Sequence, residues 1–349
     1  MTRFVDVPNL VKLVNEIGIT DFITGMHDYI VEDFSRWNDF DKCPRTAAHS
    51  DIGVIELMPV ADSERYGFKY VNGHPANTAK GLSTVMAFGA FAEVSTGYPL
   101  LLSELTLTTA FRTAATSAMA AKALARPESR VMGMIGSGAQ SEFQALAFAA
   151  IVGIEELRIY DVDRQAMQKL ARHLESASSL KVLLADTPED CVNGADIVTT
   201  VTADKTWATI LEPHMIAPGM HINAIGGDCP GKTELHEEVL KAGKIFVEFE
   251  PQTRVEGDIQ QLPAEHPVHP LWKVLTGDEQ GRDSTEQITI FDSVGFALED
   301  YSALRFVYDK SRELNIGERI ALVPELSDPK DLFELTLDNT GKAYTRKAA

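Results

Sequence analysis

Two glycines and a carboxylate stand together in the stretch Ile225-Gly226-Gly227-Asp228, a combination that suits acid–base chemistry beside a bound ligand. Glycines allow a ligand to approach the backbone closely, and a carboxylate can take up or release a proton. Asp228 is therefore our first candidate for a catalytic acid or base. The alternative is a turn cap, because a Pro-Gly pair follows directly.

Three cations with apolar neighbours form the second candidate group, namely Arg45, Lys69 and Arg112. We expect Arg112 to lie within about one turn of a helix N-terminus, where its charge opposes the helix dipole. A bound anion such as a substrate carboxylate would be stabilised by both. Glu56 and Lys69 fall in neighbouring predicted strands, and the simpler interpretation is a cross-strand ion pair. Alternatively, a carboxylate there could receive a substrate amine.

No metal site is predicted. His266 and His269 are close in sequence, but no further ligand lies nearby and both adjoin prolines, and the chain has no C-x-x-C pattern.

A glycine turn after an apolar strand predicts a dinucleotide site. The strand Val131 to Ile135 runs into Gly136-Ser137-Gly138, and a helical repeat follows. Gly136 would allow a tight turn, and Gly138 would let the backbone approach a pyrophosphate. The third small position is Ser141, where glycine or alanine is usual.

An acid at the end of the next strand indicates which dinucleotide would bind. Asp161 lies about 20 residues beyond the glycines, where such folds hydrogen-bond the adenosine ribose. Because Asp161 would repel a 2′-phosphate, we predict NAD rather than NADP. Asp163 is an alternative for this role, and Arg164 could favour a phosphate.

These residues must be positioned by a doubly wound parallel sheet. Strands are predicted at 131–135, 157–160, 182–184, 197–201, 221–225 and 245–247, with helices between them. Ligands lie beyond the carboxyl ends of such strands, so the loops after the fourth and fifth strands, which carry Thr202 and Asp228, should face the nicotinamide.

A second unit precedes this sheet. Residues 1 to about 40 are predicted to be helical. Strands at 53–60, 66–71, 84–94 and 99–107 then favour an antiparallel sheet with a hairpin turn at Ser95 to Tyr98. Thr108 is predicted to cap an alanine-rich helix, 109–125, and another helix runs from 293 to 314. We therefore predict an α/β protein in which residues 126–289 form a Rossmann-type domain. Residues 1–125 and 290–349 would form a discontinuous α+β domain for substrate binding and dimerisation, with the ligands in the cleft between the two.

Composition narrows the partners and the compartment. The 349 residues carry 32 Lys plus Arg against 51 Asp plus Glu, a net charge of −19 that disfavours nucleic acid and anionic membranes. Three widely spaced cysteines, Cys43, Cys191 and Cys229, suit a reducing compartment. The N-terminus has no signal-like pattern, and the longest apolar run is too short to cross a bilayer. We expect a cytoplasmic protein.

Several longer motifs together resemble the ornithine cyclodeaminase/mu-crystallin family, and the resemblance covers nearly the whole chain. They comprise Lys69 with 77–84 (NTAKGLST), 96–99 (TGYP), 109–115 (TAFRTAA), 136–140 (GSGAQ), 194–196 (GAD), 218–226 (PGMHINAIG) and 293–295 (SVG). Together they are far more selective than the glycine motif.

The resemblance implies a homodimer built through the first domain, recycled NAD, and conversion of L-ornithine to L-proline with loss of ammonia. It further implies that Arg45, Lys69 and Arg112 hold the substrate carboxylate, that Glu56 and Val294 line the substrate site, and that Asp228 moves protons. The residues implied to contact NAD are Thr84, Arg112, Gly136, Gly138, Ala139, Gln140, Asp161, Thr202, Ile225, Gly226, Gly227, Asp228, Lys232 and Ser293.

This sequence departs from the family where Ser141 replaces a common alanine and Glu248 a common aspartate. Three alternatives stay open. One is a net oxidoreductase that reduces cyclic ketimines or oxidises an amino acid, and another is a cyclodeaminase acting on lysine. The third is a non-catalytic nucleotide- or hormone-binding protein, which the presence of Asp228 and the three cations disfavours.

Overall fold

The computed structural model describes residues 1–202, 207–338 and 340–342, which contain two large sheets and one small one. The strands are β1 (Thr2–Val5), β2 (Asp41–Lys42), β3 (Thr46–Ser50), β4 (Gly53–Ala61), β5 (Arg65–Gly73), β6 (Val85–Glu93), β7 (Pro99–Glu104), β8 (Val131–Ile135), β9 (Glu156–Tyr160), β10 (Lys181–Leu184), β11 (Ile197–Thr200), β12 (Trp207–Leu211), β13 (His221–Ala224), β14 (Thr233–Leu235), β15 (Gly243–Val247), β16 (His269–Pro270), β17 (Ile288–Asp292) and β18 (Glu318–Ile320). The helices are α1 (Val7–Ile17), α2 (Ile19–Ser35), α3 (Thr106–Leu124), α4 (Ser141–Ala147), α5 (Arg164–Ala177), α6 (Pro188–Val192), α7 (Glu237–Ala242), α8 (Glu250–Glu256), α9 (Leu271–Thr276) and α10 (Ala297–Glu313).

The first sheet has the order β18-β1-β7-β6-β5-β4-β2, with β3 also paired to β4. The predicted antiparallel pairing holds from β4 to β7, and the predicted hairpin turn joins β6 to β7. In contrast, β1 lies parallel to β7. The prediction of helix for residues 1 to 40 was wrong at its start, because Thr2–Val5 is a buried strand. It also missed a break at Gly18, whose φ of 90° ends α1.

The second sheet is parallel throughout and has the order β10-β9-β8-β11-β13-β17-β15-β16. The predicted Rossmann-type fold is confirmed, and all six predicted strands are present. The prediction missed β16 and the role of β17, which inserts between β13 and β15. The predicted domain boundary before residue 290 falls inside β17, whose pairing extends the second sheet to Asp292. The division into two domains otherwise stays a prediction.

Two helices connect the sheets to one apolar core. Helix α3 is buried on almost every side, and its alanines let α2, α4 and the second sheet pack closely against it. Helix α10 lies across β4 to β7 of the first sheet. After β17 the chain leaves the second sheet for α10, and β18 then pairs with β1 at the edge of the first sheet.

The start of α3 differs from the prediction. The helix begins at Thr106, and Thr108 does not cap it. The carboxylate of Glu104 instead accepts the N–H groups of Thr106, Leu107 and Thr108, at 3.0 to 3.1 Å. Arg112 is therefore in the second turn, farther from the N-terminus than expected. No helix in the described part of the chain is long and apolar enough to cross a membrane.

Candidate active site

The glycine turn after β8 is open where a phosphate group would approach. Gly136 has a φ of 114°, and a Cβ there would lie 2.6 Å from the carbonyl oxygen of Val201. Gly138 is exposed, and a Cβ there would meet no described atom within 4 Å. Ser141 is accommodated because its Oγ donates to the Gly136 carbonyl at 3.1 Å. The turn therefore fits the predicted pyrophosphate cradle.

Asp161, directly after β9, closes the other side of this turn. Its carboxylate accepts the N–H of Ser137 at 2.7 Å and the N–H of Asp163 at 2.8 Å. Asp163 caps α5 instead, since its carboxylate accepts hydrogen bonds from N–H groups in the first turn of that helix. Arg164 is paired with Asp186 at 3.1 Å. The geometry favours Asp161 over Asp163 as the ribose ligand.

The loops after β11 and β13 meet through one lysine. Nζ of buried Lys232 lies 3.1 Å from the carbonyl oxygen of Thr202 and 3.3 Å from Oδ1 of Asp228. Burial opposes the charge of Lys232, but Asp228 and Glu234 outweigh it and raise the pKa of the ammonium group. The Asp228 side chain is 56% exposed, and its hydrogen bond within the described chain comes from Lys232. A turn cap is therefore not what this carboxylate forms.

Lys69 and Arg112 share one carboxylate from α10. Lys69 Nζ lies 2.8 Å from Oδ1 of Asp300, and Arg112 Nε lies 3.0 Å from the same oxygen. Arg112 Nη1 also donates to Glu299 at 2.6 Å. Burial and the neighbouring Arg112 lower the pKa of Lys69 to about 8. We call the group of charged side chains around Lys69, Arg112 and Arg45 the substrate pocket, and Lys69 and Arg112 form its cationic end.

The predicted ion pair between Glu56 and Lys69 was wrong. The register of β4 and β5 places Glu56 opposite Val71 and Lys69 opposite Met58. Helix α10 supplies a closer partner for Lys69, and Glu56 instead accepts a hydrogen bond from Arg45.

Arg45 links both sheets through four contacts. Its Nη1 donates to Glu56 at 3.0 Å, and its Nε lies 3.2 Å from Glu256 on α8. Its Nη2 donates to the carbonyls of Val294 and Gly295, at 2.6 Å each. A guanidinium group has five N–H donors, and three of those of Arg45 form hydrogen bonds within the protein. The contact of Nε with Glu256 is an ion pair without a hydrogen bond, so Nε and one N–H of Nη1 have no hydrogen-bond partner among the described residues.

Carboxylates dominate the surroundings of Arg45. Burial opposes the charge of Arg45, but Glu56, Glu256 and Asp228 outweigh it and raise the pKa of the guanidinium group. The side chains of Glu56 and Glu256 are only 8% and 7% exposed. Burial raises the pKa of Glu256 to about 7 against the effect of Arg45, with Glu56 and Asp228 adding to the rise. This end of the pocket is therefore acidic. No sequence pattern indicated Glu256, which lies in a region predicted to be loop-like.

The loop after β17 brings Ser293 and Val294 to the same place. The Ser293 hydroxyl donates to Glu248, which also accepts the Gly295 N–H at 3.3 Å. Gly295 has a φ of 73°, and a Cβ there would lie 2.7 Å from Arg112 Nη1. A side chain at this position would therefore displace the guanidinium.

Two further groups that the sequence analysis considered, Thr84 and the histidine pair, make no hydrogen bond to this arrangement within the described residues. Thr84 precedes β6, and its carbonyl accepts the His74 N–H at 2.9 Å and the Asn72 amide at 3.4 Å. None of its hydrogen bonds within the described residues joins it to the glycine turn. His269 contacts Glu279, and the described residues contain no cluster of three or more ligands that could hold a metal.

Comparison with known proteins adds independent findings. The profile of the ornithine cyclodeaminase/mu-crystallin family matches residues 7–315. The chain is 55% identical to an ornithine cyclodeaminase of Brucella suis over 334 residues, which are 96% of this chain and 93% of that protein. The fold is similar to a solved lysine cyclodeaminase (TM-score 0.90, 27% identity, 95% of this chain and 98% of that one). It is also similar to an archaeal alanine dehydrogenase dimer with bound NAD (TM-score 0.84, 31% identity, 92% and 99%).

Proposed function

The chain belongs to the ornithine cyclodeaminase/mu-crystallin family, and we propose that it is an NAD-dependent ornithine cyclodeaminase that converts L-ornithine to L-proline and ammonia. The observation that carries this proposal is a pocket with two unlike ends beside Asp228. Lys69 and Arg112 form its cationic end, and Glu56 and Glu256 form its acidic end. Such a pocket suits a substrate with a carboxylate and a distal ammonium group.

The cofactor is NAD, and the turn after β8 fits its pyrophosphate. We propose that Asp161 binds the ribose and that the loops after β11 and β13 face the nicotinamide. The residues proposed to contact NAD are Thr84, Arg112, Gly136, Gly138, Ala139, Gln140, Asp161, Thr202, Ile225, Gly226, Gly227, Asp228, Lys232 and Ser293. Bound there, NAD would supply reversible hydride transfer, first from the substrate α-carbon and then to a cyclic imine.

We propose that Arg112 and Lys69 bind the substrate carboxylate. Nη2 of Arg112 makes no hydrogen bond to the described residues, and Lys69 uses one of its three donors on Asp300. Arg45 could add the second N–H of its Nη1. Val294 would line the pocket beside them. Glu56, at the acidic end, is proposed to receive the distal ammonium group.

Asp228 is proposed to act as the base. As a carboxylate it takes a proton from the α-ammonium group, and this frees the nitrogen to form the imine as the hydride leaves. The distal ammonium group gives a proton to Glu56, and the free δ-amine then attacks that carbon. Asp228 returns its proton to the α-nitrogen, which leaves as ammonia, and reduction of the cyclic imine gives proline. Two hydride steps on one substrate require a site that retains the intermediate and excludes water.

The test is a time course of purified protein with L-ornithine and substoichiometric NAD, following proline, ammonia and NADH absorbance together. Proline and ammonia in equal amounts, many per NAD and without accumulated NADH, would support the proposal. Stoichiometric NADH change would indicate a dehydrogenase or ketimine reductase. Turnover of L-lysine in preference to L-ornithine would indicate the lysine-cyclising alternative, and NAD binding with no turnover of any amino acid would indicate a binding protein.

We also propose that two copies pair through the outer face of the first sheet, in the cytoplasm. Apolar side chains on β4, β5 and β6 alternate outward and are 38 to 45% exposed, namely Ile55, Leu57, Tyr66, Met86 and Phe88. A contiguous exposed apolar patch of this kind usually marks an interface. Light scattering should give a dimer for the native chain and a monomer for Phe88→Asp; a native monomer would refute this assembly.

A further inference from the structure

Three buried carboxylates form a chain of contacts beneath the catalytic loops. Asp292, at the end of β17, accepts the N–H of Asp258 at 3.0 Å. Asp258 accepts the N–H of Glu234 at 2.8 Å, and Glu234 accepts the N–H of Thr202 at 2.9 Å as well as its hydroxyl. Asp292 therefore holds the backbone of Asp258, and Asp258 holds the backbone of Glu234. Glu234 in turn holds Thr202, in the loop after β11.

The same carboxylates support the turn that precedes Asp228. A Cβ on Gly226 would lie 2.0 Å from Oε1 of Glu234, and a Cβ on Gly227 would lie 2.7 Å from Oδ2 of Asp258. Glycine is therefore needed at both positions because a side chain there would clash with one of these two carboxylates, and not only to leave room for a ligand. Asp228 follows directly on this turn, so its position depends on where these acids lie.

A role in core packing alone does not account for these groups. Glu234 and Asp258 are 1% and 0% exposed, and each has an oxygen that is buried without a hydrogen-bond partner. Buried charge is costly, and apolar residues of similar volume usually serve packing as well or better. Glu234 accepts its hydrogen bonds from Thr202 in the loop after β11, and Asp258 accepts its own from the N–H groups of Glu234 and Leu235 in β14.

We propose that Glu234 and Asp258 are positioning residues that set the places of Thr202 and Asp228 relative to the end of β17. The inference rests on the proposed function for the role of Asp228. Lys232 completes the arrangement, since its ammonium group joins the Thr202 carbonyl to the Asp228 carboxylate. A displacement of about 1 Å at reacting groups can cost about 100-fold in rate. The adenosine side of the NAD site, at Asp161, has no part in this chain of contacts.

The first test compares Glu234→Leu, which removes the oxygen that accepts both Thr202 contacts, with Glu237→Leu. Glu237 lies three residues away on α7, its side chain is 45% exposed, and it pairs with Lys241. We expect Glu234→Leu to lower kcat at least tenfold while KM for ornithine and the Kd for NAD change less than threefold. Hydrogen exchange of the backbone around 200–202 and 225–232 should also become faster, and this measurement does not depend on turnover. Glu237→Leu should match the native chain in all these measurements.

The second test is a cycle of Gly226→Ala, Glu234→Ala and the double variant, each checked for folding by circular dichroism. If the new methyl group and the carboxylate compete for one place, the double variant will have the kcat of Glu234→Ala alone, and its loop exchange will be no faster. Effects that multiply, or Glu234→Leu with native kcat and native exchange, would overturn the inference. Failure of the proposed function is distinguishable, because it appears as no proline from the native chain, and the exchange measurements then still decide the positioning role.

Discussion

Substitution of Glu256 by glutamine tests whether the acidic end of the pocket holds a proton in the folded protein. The side chain is 7% exposed and lies 3.2 Å from Arg45 Nε. Burial raises the pKa of Glu256 from an ordinary 4.5 to about 7, although Arg45 opposes the rise. The folded protein therefore keeps a proton on this carboxylate between about pH 4.5 and pH 7, where the unfolded chain has lost it.

The sign of the effect follows from proton counting. Stability falls as pH rises wherever the folded state binds more protons than the unfolded state. A pKa raised from 4.5 to about 7 corresponds to about 3.4 kcal/mol in total, of which about 2.5 kcal/mol is lost between pH 5 and pH 8. Glutamine cannot ionise. The free energy of unfolding of Glu256→Gln minus that of the native chain should therefore rise by about 2.5 kcal/mol from pH 5 to pH 8.

The assay is urea unfolding without cofactor at both pH values, followed by tryptophan fluorescence and circular dichroism, whose transitions must coincide. Glu250→Gln is the matched control, since Glu250 lies on the same helix with a side chain that is 45% exposed. Its difference from the native chain should not change with pH. A difference for Glu256→Gln that is also constant would refute the reasoning, because it would mean that Arg45 keeps Glu256 ionised.

Three further substitutions test other parts of the site. Arg112→Ala leaves Glu299 and Asp300 without a guanidinium partner, so we expect the free energy of unfolding in urea to fall by about 3 to 5 kcal/mol. Ornithine binding, measured by calorimetry, should also be much weaker. Native values for both would contradict the carboxylate-binding role. Gly138→Ala should lower the affinity for NAD about tenfold without changing the free energy of unfolding. Gly136→Ala should lower the free energy of unfolding by at least about 1 kcal/mol even without NAD, because Gly136 has a positive φ and lies against the Val201 carbonyl. Equal effects of the two substitutions would count against the pyrophosphate cradle. Asp228→Asn should bind NAD normally in a fluorescence titration but lose most turnover, and near-native turnover would remove Asp228 from the mechanism.

The features that sequence predicted well are those encoded by neighbouring residues. The glycine turn, the strand before it and Asp161 form one continuous segment, so their geometry follows from local pattern. The parallel strands were found for the same reason. The exception is β17, whose place between β13 and β15 depends on pairing with distant strands rather than on its own residues.

Partners of the pocket cations could not be predicted, because they come from far along the chain. Lys69 and Arg112 meet Asp300 and Glu299 across 231 and 187 residues, and nothing near either cation indicates a helix that passes over it. A cross-strand pair with Glu56 was the nearest local alternative. It failed because α10 supplies closer acids.

The hydrogen bonds between carboxylates and backbone amides could not be predicted from the sequence. Glu234, Asp258 and Asp292 make their hydrogen bonds mostly to N–H groups, which every residue except proline possesses. No spacing or residue type therefore marks their partners. Glu256 was missed for a related reason, since α8 is too short to show a clear helical repeat.

The order of strands has a consequence for synthesis of the chain. β17 fills the interior of the second sheet, and β18 pairs with β1, which is made long before it. The second sheet stays open until β17 has been made and the first until β18 has been made, so β13, β15 and β1 wait with unpaired edges. Exposed strand edges invite association between chains. We therefore expect partly made copies of this chain to associate more readily than chains whose sheets close in the order of their strands.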